Sequence, residues 1–194
     1  MLISLKSSTK PYGLVLLVSI ICIALYFAPF DSSLAYRKAA IAQGEWWRLL
    51  TGNLLHTNYW HLAMNLGGLW VLAFLHEMHY RAANFSLLFV LLCLLQGLGL
   101  YWGFPTLLGY VGLSGMLHGL VTYGALKDIQ RGIRSGYLLL VGVCAKVAYE
   151  QIYGASKQIS QLIDARVATE SHLVGVFTGI LVFIGYKLIR RWSK

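Results

Sequence analysis

The chain has 194 residues, 58% of them hydrophobic and only 12% charged, with a formal net charge of +9. Soluble globular chains carry about twice that charged fraction, ~25%, and here the charge is missing from long blocks, which is a membrane pattern. The basic excess does not point to nucleic acid, because it falls in the gaps between apolar blocks, where Lys and Arg set membrane orientation.

Six apolar segments follow one another, at residues 12–30, 54–75, 85–104, 114–126, 136–154 and 171–186. No linker, low-complexity tract or internal repeat divides them. They predict an all-α membrane protein, a six-transmembrane-helix bundle forming a single domain over residues 1–194. The first lies in "MLISLKSSTKPYGLVLLVSIICIALYF". It outruns the ~7–15 residues of a signal-peptide core and no A-x-A-like site follows, so it is expected to be retained as a span. In the loop after it, "GEWWR" sets Trp46 and Trp47 beside Arg48, which suits an anchor lying in the membrane interface.

The second segment carries "HTNYWHLAMN", with His56, His61 and Asn65, and ends in "HEMH". The latter is close to a zincin motif, but chelation from one helix face needs histidines at i, i+4, and here the spacing is three. Cys22, Cys93 and Cys144 each sit inside an apolar run without paired spacing and are expected to be small buried hydrophobes. The fourth segment opens "GLSGMLHG". Ser114 and His118 are one helical turn apart and could be nucleophile and base, or the flanking Gly112 and Gly115 could serve packing alone. In the fifth, Lys146 and Glu150 are also one turn apart, and are expected at mid-membrane. Charges in lipid suggest function and pairing: they are either a substrate gate or a pair snorkelling to water. The sixth contains "SHLVGVFTG", with His172.

With the N-terminus inside, the inner side collects Lys6, Lys10, Arg81, Lys127, Arg131, Arg134, Lys187, Arg190, Arg191 and Lys194. The outer side has only Arg37, Lys38, Arg48, Lys157 and Arg166, so both termini are expected to be cytoplasmic. The fourth and sixth segments look short for a core ~30 Å thick. Counting back from Lys127, Ser114 climbs only about 20 Å, some 10 Å short of the outer surface. His172, counted from Lys187, and His61, counted from His76, rise about 22 Å each. The three converge on one submerged layer. The chain before Ser114, "FPTLLGYVGL", has Pro105 and two glycines. Irregular backbone at that depth survives only against protein or around water, which predicts a polar pocket. Gly115 with Gly119, and Gly175 with Gly179, form small-xxx-small stripes on the fourth and sixth segments. Facing each other, they would bring Ser114 and His172 together.

"GLSG", "SHLVGVFTG" and "HTNYWHLAMN", with "WWRLLT" before the second span, together resemble the rhomboid family of intramembrane serine proteases. The resemblance covers nearly the whole chain and implies the rhomboid-like six-helix fold. "GEWWRLLTGNLLHTNYWHLAMNL" and "GLSGMLHG" look most like rhombosortases, which are associated with bacterial exported proteins bearing a C-terminal Gly-Gly motif, one hydrophobic span and a basic end. The implied machinery is a dyad, Ser114 as nucleophile and His172 as general base. His61 and Asn65 match the H-x-x-x-N pair and, with the Ser114 N–H, would form the oxyanion hole.

The family pattern requires no carboxylate. Glu170, two positions before His172, points elsewhere on a helix and is expected to be a solvated charge. His56, five before His61, is expected to face away from it and to brace the first outer loop. His118 stands where the family has a tyrosine packed on the catalytic histidine and is expected to support His172. The resemblance further implies no cofactor or metal and a site opening to the periplasmic side of the bacterial inner membrane. The implied partners are the lipid bilayer and membrane-anchored substrates with a C-terminal transmembrane tail. Competing readings are a rhomboid protease for other single-span substrates, a histidine-ligated haem protein or transporter using His61 and His172, and a non-catalytic binder of transmembrane helices.

Overall fold

The structure, a computed structural model, describes residues 10–28 and 31–192. Lys6, Phe30 and Lys194, used in the sequence reading, lie outside the described residues. Six long helices carry the architecture: α1 (Tyr12–Phe27), α2 (Tyr59–Leu75), α3 (Ala82–Gly103), α4 (Ser114–Gln130), α5 (Ser135–Tyr153) and α6 (Thr169–Trp192). α3 and α6, at 22 and 24 residues, have the length and apolarity for a crossing. α1 and α2 are apolar but shorter. Large apolar side chains face outward all round the bundle, among them Val71, Leu87, Leu138, Val141 and Phe177. A helix apolar on every side is either fully buried or bathed in lipid, and these side chains are exposed.

α4 is the hub. It is rich in small residues and buried on nearly all sides, from Gly115 to Asp128. Its 17 residues rise about 25 Å, less than a ~30 Å hydrocarbon core. The two glycine stripes do face each other. A Cβ on Gly175 would collide with the Gly115 carbonyl, one on Gly179 with the Gly119 carbonyl, and one on Gly119 would stand 2.9 Å from the Gly175 carbonyl. Close approach of this kind is what drives helix pairing where lipid removes the hydrophobic incentive. α5 packs on α4 at Gly136, where a Cβ would stand 2.7 Å from the Ala125 carbonyl, and on α6 through Val143 and Val147 against Val176.

Three expectations need correction. The sixth helix is not short: it runs on through Lys187, Arg190 and Arg191 to Trp192, because Lys and Arg are good helix formers and favour a helix C-terminus. The second helix starts at Tyr59 rather than near Leu54, because Asn58 Oδ1 accepts from the His61 N–H at 2.9 Å and caps it. Cys144 is exposed, whereas Cys22 and Cys93 are buried; an apolar run marks contact with lipid as readily as with protein.

Between α1 and α2, residues 31–58 fold over the end of the bundle at which α4 begins. Its Tyr36–Arg37 strand (β1) pairs antiparallel with Gly109–Tyr110 (β2), just before α4. Arg48 ties the loop together, donating to Glu45 Oε2 at 2.6 Å and to the Ala35 carbonyl at 2.8 Å. Trp46 and Trp47 are left half exposed.

Candidate active site

Three of the helices present their N-termini at the same end of the bundle: α2 with His61 and Asn65, α4 with Ser114, and α6 with His172. Ser114 Oγ lies 3.0 Å from His172 Nε2, across the glycine-packed α4–α6 seam. His172 Nδ1 faces Glu150 Oε2 of α5 at 2.8 Å. A carboxylate only accepts, so Nδ1 carries the proton and Nε2 is free to accept the Ser114 O–H. His172 is buried, so its ring is aimed by these two partners.

His118 lies against the same ring, centroids 4.1 Å apart and planes 16° from parallel. Its Nδ1 donates to the Ser114 carbonyl at 2.7 Å, since a carbonyl can only accept, and that nitrogen therefore has no lone pair to offer the serine hydroxyl. His118, Glu150 and His172 offer three ligand atoms within 4.8 Å of one another. Stacking argues against chelation, because imidazole lone pairs lie in the ring plane, and one ion ~2.0–2.1 Å from both nitrogens cannot lie in two near-parallel planes.

The segment entering α4 is threaded against α2. Gly112 has φ +117°, a conformation that favours glycine, and a Cβ there would sit 2.6 Å from His61 Nε2 and 3.5 Å from Asn65 Nδ2. Its N–H donates to the Gly52 carbonyl at 3.1 Å, and Tyr110 O–H donates to its carbonyl. His61 and Asn65 are thus packed on the backbone that delivers Ser114. One Asn65 N–H returns to the His61 carbonyl at 3.0 Å, leaving its second for a ligand. Thr57 stands beside His61 Nδ1, its N–H at 3.4 Å and its Oγ1 at 3.0 Å, while Oγ1 donates to the Ile163 carbonyl at 2.6 Å. Ser114, His61 and Tyr110 line a cavity of about 610 Å³ shared with Tyr36, Ile163 and Val167. A second groove, about 430 Å³, opens between α2 and α5 past Val71, Leu117, Leu138 and Gly142, with His118 and Lys146 on its wall.

The sequence reading missed three features. Glu150, not Glu170, is the carboxylate beside His172. Glu170 pairs with Arg166 at 2.7 Å. Glu150 is three residues from the C-terminal end of α5, about 4.5 Å, in the helix's last turn rather than at its centre. His56, expected to face away from His61, lies edge-on to it with centroids 5.1 Å apart, because residues 55–58 are not helical. Gln96 is fully buried, and its amide nitrogen would be 2.7 Å from a Cβ on Gly115.

A profile of the Rhomboid domain matches residues 43–190, which take in His61, Asn65, Ser114, His118, Glu150 and His172. The chain belongs to the rhomboid family, and its fold is the all-α rhomboid-like membrane bundle. It is 32% identical over 110 residues to rhomboid protease GluP of Bacillus subtilis (strain 168), covering 56% of this chain and 20% of that protein. It is 35% identical over 80 residues to putative rhomboid protease YdcA of the same organism, covering 41% of this chain and 40% of the relative. The matched region thus spans less than half the length of either relative.

Proposed function

We propose that this chain is an intramembrane serine endopeptidase in which Ser114 is the nucleophile and His172 the general base. The observation that carries this reading is the 3.0 Å approach of Ser114 Oγ to His172 Nε2 between two helices locked by facing glycines. A serine hydroxyl needs such a base within hydrogen-bond reach to attack at neutral pH. As Oγ bonds to the scissile carbonyl carbon, its proton passes to Nε2. The oxygen that gains charge is met by the Ser114 N–H, His61 Nε2–H and the second Asn65 N–H. Collapse of the adduct returns the Nε2 proton to the leaving amine and leaves an acyl-enzyme on Ser114. Water, deprotonated by the same nitrogen, then releases the acid and restores the serine.

The substrate we propose is an exported protein held in the bacterial inner membrane by a C-terminal, Gly-Gly-type tail and cut near its outer end. Both termini of the protease are cytoplasmic and the site opens to the periplasm. The α2–α5 groove supports lateral access for a membrane-embedded segment. Glycine supports cutting at such a tail, since it leaves a helix at little cost. The Gly-Gly preference itself rests on the rhombosortase-like residues around Trp46–Leu66 and Gly112–Gly119.

The test is labelling by a fluorophosphonate probe in detergent and in lipid vesicles. Wild type labels, and Ser114→Ala and His172→Ala do not. Labelling that survives Ser114→Ala overturns the assignment, and a wild type that never labels favours a non-catalytic helix binder. A co-reconstituted reporter with a Gly-Gly tail should be cut faster than its Ala-Ala counterpart; equal rates would broaden the substrate class to single-span proteins in general.

A further inference from the structure

The serine–histidine pair leaves a carboxylate on α5 without a function. Glu150 stands three residues before the end of α5, and His172 three after the start of α6, so both lie about one turn from the loop that joins their helices. Both carboxylate oxygens are partnered: Oε2 by His172 Nδ1 at 2.8 Å and Oε1 by Lys146 Nζ at 2.7 Å. A glutamate serving only as a counter-ion for Lys146 would follow that side chain outward, where long charged side chains reach water. The Lys146 side chain is 50% exposed, but that of Glu150 is only 11% exposed and turned inward.

We propose that Glu150 is a positioning residue for His172, giving the site a Ser114–His172–Glu150 chain with Lys146 keeping the carboxylate ionised. This rests on the assignment of Ser114 and His172 above. An ionised carboxylate can only accept, so it holds the Nδ1 proton in place, stops the ring from rotating, and keeps the Nε2 lone pair on the serine. When the Ser114 proton reaches Nε2, the ring becomes a cation. Glu150 remains an anion 2.8 Å away, and the Nδ1 proton does not move to it. When Nε2 gives its proton to the leaving amine, the ring is neutral again. An unpaired imidazolium at membrane depth is costly, so the neighbouring negative charge lowers the barrier by stabilising the form that exists only during reaction. His118, stacked on the ring face, restrains the motion that this in-plane bond does not.

The experiment compares Glu150→Gln, which keeps the shape, with Glu150→Asp, which keeps the charge. Ser114→Ala and His172→Ala run in parallel, all in lipid vesicles. The readouts are the fluorophosphonate labelling rate, kcat and KM for a tail reporter, and the thermal midpoint. Glu150→Gln is expected to lower kcat and the labelling rate by about 100-fold or more, against ~10⁴-fold for losing the buried acid of a soluble triad. KM and the thermal midpoint should stay near wild type, and Glu150→Asp should keep more activity than Glu150→Gln. Wild-type kcat in Glu150→Gln, or greater loss in Glu150→Asp than in Glu150→Gln, overturns the inference while Ser114 and His172 stand. Labelling that persists in Ser114→Ala overturns the serine assignment itself.

Discussion

His118 lies flat against His172, ring centroids 4.1 Å apart, while its Nδ1 proton is given to the carbonyl of Ser114. The histidine one turn after the serine is therefore placed to hold His172 rather than to take the Ser114 proton. Aromatic pairs contribute about 0.5–1.5 kcal/mol beyond burial, so His118→Ala should slow labelling by roughly 3- to 10-fold. His118→Tyr, which keeps a flat ring on the same face, should stay nearer wild type. If His118→Ala is as inactive as His172→Ala, His118 is itself a proton acceptor.

The distance between Ser114 and His172 is set by backbone, not by side chains. Gly175 meets the Gly115 carbonyl so closely that any Cβ must push α6 away from α4. Gly175→Ala should therefore lower the thermal midpoint, by an overpacking cost of about 1–3 kcal/mol or more, and abolish labelling by separating Ser114 from His172. Gly185→Ala is the control on the same helix: nothing lies within 4 Å of its Cβ, and alanine is the better helix former. It should be neutral or slightly stabilising, as a thermal scan in detergent would show.

Gly112 couples two demands at one position, φ +117° and 2.6 Å of space beside His61 Nε2. Gly112→Ala should strain the loop into α4 and displace His61 from the place where charge develops. The expected loss is about 10²–10³-fold in kcat, the usual cost of an oxyanion donor. Gly154→Ala also strains a positive φ, +77°, but has open space around it. It should leave kcat unchanged, and kcat measured on both variants separates strain from displacement.

Much of this arrangement could be read from periodicity and counting. That Ser114, His61 and His172 meet at one end of the bundle was legible because helix rise converts residue number into height along a helix. The facing of the glycine stripes followed from their matched offsets after Ser114 and His172. The direction of Glu150 was not legible: periodicity gives the face a residue shares with Lys146, not the helix that face meets. Nor was its place in the last turn of α5, where that helix approaches α6. A better signal was available, since Glu150 and His172 are each about one turn from the loop that joins their helices. His56 was misplaced by extending a helical register through residues 55–58, where Asn58 begins the helix instead.

At the opposite end of the bundle, Asp128 receives His79 Nε2 at 2.5 Å and lies 3.3 Å from His76 Nε2. His76 is fully buried, and neither of its ring nitrogens has a hydrogen-bond partner. Burial holds the pKa of both imidazoles below the ordinary histidine value, with Asp128 opposing the shift and Lys127 and Arg131 adding to it at His79. A histidine whose folded pKa is depressed binds its proton more readily when unfolded. The folded state is then favoured most above the ordinary value of about 6.5, and that advantage is lost as pH falls below it. The thermal midpoint should be flat above about pH 7 and decline on acidification toward about pH 5. Asp128→Asn removes the opposing carboxylate and should steepen that decline. The double variant His76→Asn/His79→Gln should lessen it, with His56, whose pKa burial also lowers, contributing to what remains. A midpoint that is independent of pH in the wild type, or an acid decline untouched in the double variant, would place the titrating groups elsewhere.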